Sequence, residues 1–111
     1  MRQKLKRVGF LLKVKENLVD EYKTHHKNTW PEMNAVLKKH GWNNYSLFIR
    51  PDGLLFGYFE ADKSFQDSLA GTATEEINTK WQELMSPYFE IPEGNHPDQS
   101  ILELEEIYHL D

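Results

Sequence analysis

Tyr22 and His26 stand four residues apart in the stretch EYKTHHKNTWPEM, residues 21 to 33. On a helix that spacing sets a phenol beside an imidazole. An imidazole has its ordinary pKa nearest neutral pH, which suits it to giving and taking protons in both directions. The same pair has a plainer reading, in which Tyr22 packs in the core and His26 caps the last carbonyls of its helix. Spacing alone leaves both readings open. His25 and His26 diverge by about 100° on a helix, so a metal site built on the two is not expected. Trp81 falls in an apolar helical stripe, where a tryptophan is either core or a flat apolar platform for a sugar ring. Tyr45 opens a β-rich run after a glycine-containing turn, a place suited to a pocket mouth. His40, His96 and His109 have no evident partners in sequence and read as surface or loop residues.

The elements that must carry these residues follow from periodicity. Val8, Phe10, Leu12 and Val14 alternate with their neighbours, the period of a strand. Residues 15–27 read as a helix with Leu18, Val19, Tyr22 and His26 inward. Pro31 would clash inside a continuing helix. Thr29 and Glu32 have capping-box spacing, with Pro31 in the first turn where proline is tolerated, so a second helix starts there and stops at Gly41. Residues 44–50 and 54–61 are β-rich runs flanking the turn signal PDG, an antiparallel hairpin. Residues 64–70 form a short helix closed by Gly71, and Thr72 with Glu75 offers a second capping box. Ile77, Trp81, Leu84, Met85 and Tyr88 then mark an amphipathic helix. The segment IPEGNHPDQS reads as a loop and residues 101–110 as a last strand.

This order, β-α-β-β-α-β, is the split pattern of ferredoxin-like α+β domains, an antiparallel sheet with helices on one face. The whole chain, residues 1–111, reads as one domain. If the other face carries Leu11, Phe48 or Tyr58, a second copy of the sheet is the simplest cover, which implies a homodimer of the dimeric α/β barrel type.

Composition narrows the function classes. The 111 residues include no cysteine, which excludes disulfides and thiolate zinc sites. Net charge is -5, and no Lys/Arg stripe lies beside the aromatics, which argues against a nucleic-acid surface. Lys13 and Lys15 cut the N-terminal apolar patch short of a signal-peptide core, and no run approaches a membrane span. A cytoplasmic protein is the expectation. The six Phe, five Tyr and three Trp are mostly expected in the core.

Taken together and in order, EYKTHHKNTWPEM, NYSLFIR, LLFGYFE and NTKWQELM closely resemble the L-rhamnose mutarotase family, from about Lys6 to Asp111. The resemblance implies a dimeric ferredoxin-like α/β fold, interconversion of the α and β anomers of L-rhamnose, and no metal or organic cofactor. It also implies that His26, four residues after the tyrosine of the EY…H…WPE segment, is the proton donor. Sugar-binding positions fall on Tyr22, on Tyr45, and on the pair Trp81 and Gln82. Some relatives carry two tryptophans in that pair, so Gln82 is a departure. No role falls on His25. Mutarotation removes a proton from the anomeric hydroxyl while the ring oxygen gains one, a task for a group that titrates near working pH. The alternatives are a ferredoxin-like dimeric monooxygenase and, from another class, a small-molecule-binding regulatory module. Within the mutarotase reading, L-fucose or another deoxysugar is the competing substrate.

Overall fold

The computed structural model describes residues 5–90 and 101–111. The expected loop at 91–100, with His96, lies outside the described residues. Strand β1 (Lys6–Lys13) leads through one turn of 3-10 helix (Glu16–Leu18) into α1 (Val19–Lys27) and α2 (Pro31–Lys39). Strands β2 (Asn43–Ile49) and β3 (Leu54–Ala61) follow, then α3 (Phe65–Ala73) and α4 (Glu76–Met85) with a 3-10 turn at Ser86–Tyr88, and finally β4 (Leu102–Leu104). The strands form one antiparallel sheet in the order β2-β3-β1-β4. The β-α-β-β-α-β sequence of elements, with both helical stretches broken in two, is as expected.

Pleating sorts each strand into an inner and an outer face. On the inner face Val8 lies opposite Phe59, Phe10 opposite Gly57 and Leu12 opposite Leu55. Gly57 makes room for a ring: a β-carbon there would stand 2.1 Å from Phe10 Cζ. Phe10 then stacks on Phe65 with centroids 5.5 Å apart, and Trp42 stacks on Phe59 at 4.2 Å. A second cluster joins Val14 and Leu55 of the sheet side to Val19 and Tyr22 of α1, Met33 of α2, Trp81 and Met85 of α4, and Phe89. Both clusters thus cover the same face of the sheet. On the outer face Phe48 stays 60 % exposed and Phe56 36 % exposed, their rings 6.2 Å apart. Leu11, opposite Phe56 and Leu102, belongs to the same face.

Three local expectations are corrected. Thr29 does not cap α2. Trp30 holds the N-cap position with extended backbone and Pro31 follows as the first helical residue, while the Thr29 hydroxyl donates back to the His26 carbonyl at 3.0 Å. The Thr29 side chain therefore serves the end of α1, one of whose last carbonyls would otherwise lack a donor. Thr72 is likewise no cap, because α3 runs on through Gly71 to Ala73. Its hydroxyl donates to the Ser68 carbonyl at 2.8 Å and accepts from the buried Trp42 Nε1–H at 2.9 Å. Gly71 is small for packing, not for turning: a β-carbon would stand 2.3 Å from His40 Nδ1. The last strand is only three residues long. Beyond it Arg7 clamps Glu106 through two hydrogen bonds of 2.7 and 3.0 Å, and Ile107, Tyr108 and Leu110 project 90, 77 and 78 % exposed. Their apolar alternation imitates a strand, but among the described residues no further strand lies there to pair with. One other signal holds, Gly41 taking the left-handed φ of +83° just past α2, and the cap of α3 is Ser64, whose Oγ accepts from the Asp67 N–H.

Because the Phe10 ring occupies the space a side chain at 57 would need, Gly57→Ala is expected to lower unfolding stability by about 1–3 kcal/mol, the usual cost of overpacking. Urea denaturation measures it; an unchanged midpoint would mean that the ring can move aside.

Candidate active site

Helix α1 buries Val19 and Tyr22 and so presents one side to the sheet. Tyr22, 5 % exposed, meets the edge of Phe89 with centroids 5.3 Å apart. One turn later His26 lies against the Tyr22 ring at 4.3 Å. The Nδ1 atom of His26 stands 3.2 Å from the Tyr22 carbonyl oxygen. A carbonyl only accepts, so Nδ1 carries the proton of this bond and the neutral ring keeps its lone pair on Nε2. His26 thus bonds the carbonyl one turn back in its own helix, and Nε2 is left outside that bond.

From α4, Trp81 approaches the His26 ring edge-on at 5.6 Å and Trp30 at 5.1 Å. Trp81 is 7 % exposed and belongs to the core cluster, so core and wall are one role rather than alternatives. Gln82 follows. Its Nε2–H donates to Asn78 Oδ1 at 3.4 Å, while its Oε1 is buried with no hydrogen-bond partner among the described residues. Tyr45, half-buried at the start of β2, packs on Trp42 at 5.1 Å and Phe10 at 6.3 Å.

Tyr22, His26, Tyr45, Trp81 and Gln82 all line one cavity of about 320 Å³ between the helices and the inner sheet face. That volume is near the lower end for small-molecule sites, roughly 300–1,000 Å³. The lining also includes Thr29, Asn34 and Asn78, none of them singled out from sequence. Asn78 could have been found: it stands three residues before Trp81 and four before Gln82, so a polar residue interrupts the apolar stripe of α4 on the inward side. No Asp, Glu, Lys or Arg is among the described residues lining the cavity.

Burial sets the protonation states. It lowers the His26 pKa below its ordinary 6.5, with the neighbouring His25 adding to the effect and the Tyr22 carbonyl opposing it. The ring is therefore neutral at neutral pH, and a titration expected near 6.5 moves lower. Burial pushes the Tyr22 hydroxyl far above the phenol range, helped by nearby Tyr45, so Tyr22 stays a neutral donor and acceptor. The other described histidines point elsewhere. His25 Nε2 lies 3.0 Å from the Tyr88 hydroxyl, which donates to Glu21 at 3.2 Å, a surface brace between α1 and the turn after α4. His40 Nε2 lies 2.7 Å from Glu75, a partner distant in sequence, and His109 pairs with Asp111 at 2.7 Å.

A family model described as L-rhamnose mutarotase matches residues 7–110. The chain belongs to the L-rhamnose mutarotase family. Within it, the chain is 37 % identical to an L-rhamnose mutarotase of Oceanobacillus iheyensis, over 96 % of this chain and 100 % of that one. It is 35 % identical to an L-rhamnose mutarotase of Lactiplantibacillus plantarum, over 95 % of this chain and 98 % of the other. Among solved structures, the crystal structure of an L-rhamnose mutarotase from Formosa agariphila matches with a TM-score of 0.76 at 28 % identity, over 96 % of this chain and 99 % of that one. The resemblance read from the four sequence segments is thus a family relationship spanning nearly the whole chain.

The lowered His26 pKa has a stability consequence. Between the depressed folded value and the ordinary 6.5 the unfolded chain binds the proton more readily, so stability is fully present above about 6.5 and falls as pH drops through that window. In chemical denaturation between pH 8 and 5, His26→Gln is expected to remove this component and flatten the profile relative to the parent. Parallel profiles for the two proteins would show that His26 is not desolvated.

Proposed function

We propose that the protein interconverts the α and β anomers of L-rhamnose, with His26 as the proton carrier. The observation that supports this most is the His26 ring itself, held neutral by burial with its Nδ1–H bonded to the Tyr22 carbonyl, in a cavity it shares with Tyr22, Tyr45, Trp81 and Gln82. Family membership supplies the substrate class. In this reading Nε2 takes the proton of the anomeric hydroxyl as the bond between C1 and the ring oxygen breaks, and His26 passes that proton to the ring oxygen, returning to its neutral form. The open aldehyde turns about its bond to C2, and the reverse steps close the ring on the other face, so no atom is gained or lost. Trp81 offers apolar ring area to the sugar carbons, while the Tyr22 and Tyr45 hydroxyls and the Gln82 amide engage its hydroxyl groups. A lining without fixed charges among the described residues suits a neutral sugar, because these residues present no ion that binding would have to desolvate.

The same reading takes the fold as ferredoxin-like, a single domain over residues 1–111, and the working form as a cytoplasmic homodimer. The sheet order supports the first, and no helix among the described residues is long and apolar enough to cross a membrane. For the homodimer the support is the outer sheet face. Phe48, Phe56, Leu11 and Leu102 make a contiguous apolar patch there, beside a C-terminal segment whose Ile107, Tyr108 and Leu110 are exposed. Such a patch marks an interaction surface. No metal or organic cofactor enters the proposed reaction.

Exchange-type proton NMR of L-rhamnose anomers, with the uncatalysed rate subtracted, tests the activity, and L-fucose and D-glucose test its selectivity. His26→Ala is expected to lower the catalysed exchange about 10²–10⁴-fold, while His25→Ala costs little because that side chain braces Tyr88 outside the cavity. Equal small losses in both variants would move the proton carrier elsewhere. For the assembly, sedimentation should give a dimer at micromolar concentration and Phe48→Asp should shift it towards monomer; a stable parent monomer would overturn the homodimer.

A further inference from the structure

Gln82 carries a buried carbonyl oxygen with no partner, which is costly enough to need an explanation. Its side chain as a whole is only half-buried and lines the cavity, while the oxygen itself is shielded within that side chain's surroundings. The terminal amide torsion of a glutamine is broad, so a modest turn carries Oε1 to the cavity without breaking the helix rotamer. What decides which end of the amide faces the cavity is Asn78. It lies one helical turn earlier, is 3 % exposed, lines the same cavity, and offers Oδ1 to Gln82 Nε2–H at 3.4 Å. With Asn78 presenting Oδ1, which only accepts, the Gln82 amide turns its nitrogen towards Asn78 and its oxygen away from it.

We propose that Asn78 and Gln82 act as one hydroxyl-reading unit, in which Asn78 is a positioning residue and Gln82 Oε1 accepts a hydrogen bond from one ring hydroxyl of the bound sugar. This rests on the sugar-binding reading of the cavity and adds to it a specific discrimination. A second tryptophan at this position would offer an indole N–H donor and a flat ring; glutamine held by Asn78 offers an acceptor. The chain is thereby set to prefer a sugar bearing a hydroxyl at the ring carbon that faces α4 and to reject one lacking it, because an analogue without that donor leaves the buried oxygen unpaired.

The test is a cycle between protein and ligand. Anomer exchange is followed for L-rhamnose and for three analogues lacking the hydroxyl at C2, C3 or C4, each with the parent protein, Gln82→Met, Asn78→Leu and Asn78→Asp. Circular dichroism establishes that each variant is folded, and Gln82→Met, being close in volume, guards against a packing failure. With the parent, one analogue should show KM raised roughly tenfold or more, the scale of an unmade buried hydrogen bond. Gln82→Met should raise KM for L-rhamnose by a similar factor with a smaller change in kcat, and should show no further penalty for that same analogue, since the lost contact is shared. Asn78→Leu should erase the discrimination in part, and Asn78→Asp, which keeps an acceptor for Nε2–H, should restore it. Independent penalties for all three analogues, or an unchanged KM in Gln82→Met, would overturn the proposal while catalysed exchange of L-rhamnose by the parent leaves the mutarotase reading standing. No acceleration by the parent for any sugar would instead remove that reading and this inference with it.

Discussion

Tyr22 joins three functions that sit on different parts of one residue. Its ring, pressed between Phe89 and the His26 imidazole, anchors α1 to the core; its carbonyl accepts the Nδ1 proton of His26; and the residue lines the cavity. The residue that anchors the helix therefore also sets, through its backbone carbonyl, the orientation and tautomer of the imidazole one turn later. An imidazole on an exposed helix end would swing among rotamers and titrate near 6.5. Here it packs against the Tyr22 ring and bonds the Tyr22 carbonyl, and burial holds it neutral at neutral pH.

The rest of the architecture can be read as making space for that arrangement. Large rings fill the half of the inner face under α3, where Phe10, Phe59, Phe65 and Trp42 pack with Gly57 giving way. The half under α1, α2 and α4 includes Tyr22, Met33 and Trp81, and the cavity opens among them. Breaking each helical stretch in two is part of this. The break at residues 28–30 ends α1 just past His26, and Trp30, at the start of α2, folds back against Trp81. Pro31 enforces the break because it cannot continue the preceding helix.

Much of this was legible in the sequence, for identifiable reasons. Strand alternation from Val8 to Val14, the PDG turn and the apolar stripe around Trp81 report burial directly, and burial is what the fold obeys. The four segments that point to the family also brought five candidate residues to one cavity. The failures share a cause. Capping boxes at Thr29 and Thr72 are local patterns, and each was overridden by a contact local reasoning cannot weigh: the His26 carbonyl in one case, the indole of Trp42 in the other. The C-terminal strand proves shorter than its alternation suggests, because alternation says nothing of how far a partner strand extends. Asn78 was missed because a single polar residue in an apolar stripe looks like noise until its neighbour across one helical turn proves to have an unpartnered oxygen. The His40–Glu75 pair spans 35 residues and leaves no periodic trace.

The central claim is that His26 presents an unprotonated Nε2 to the sugar because Tyr22 holds the proton on Nδ1. Nitrogen-15 NMR of the His26 ring, assigned by comparison with His26→Gln and recorded at neutral pH while L-rhamnose is added to saturation, tests it most directly. The account expects a neutral ring with its proton on Nδ1 and an Nε2 signal that moves as the sugar binds. A neutral ring protonated on Nε2, or an Nε2 signal that stays fixed at saturating sugar, would contradict it.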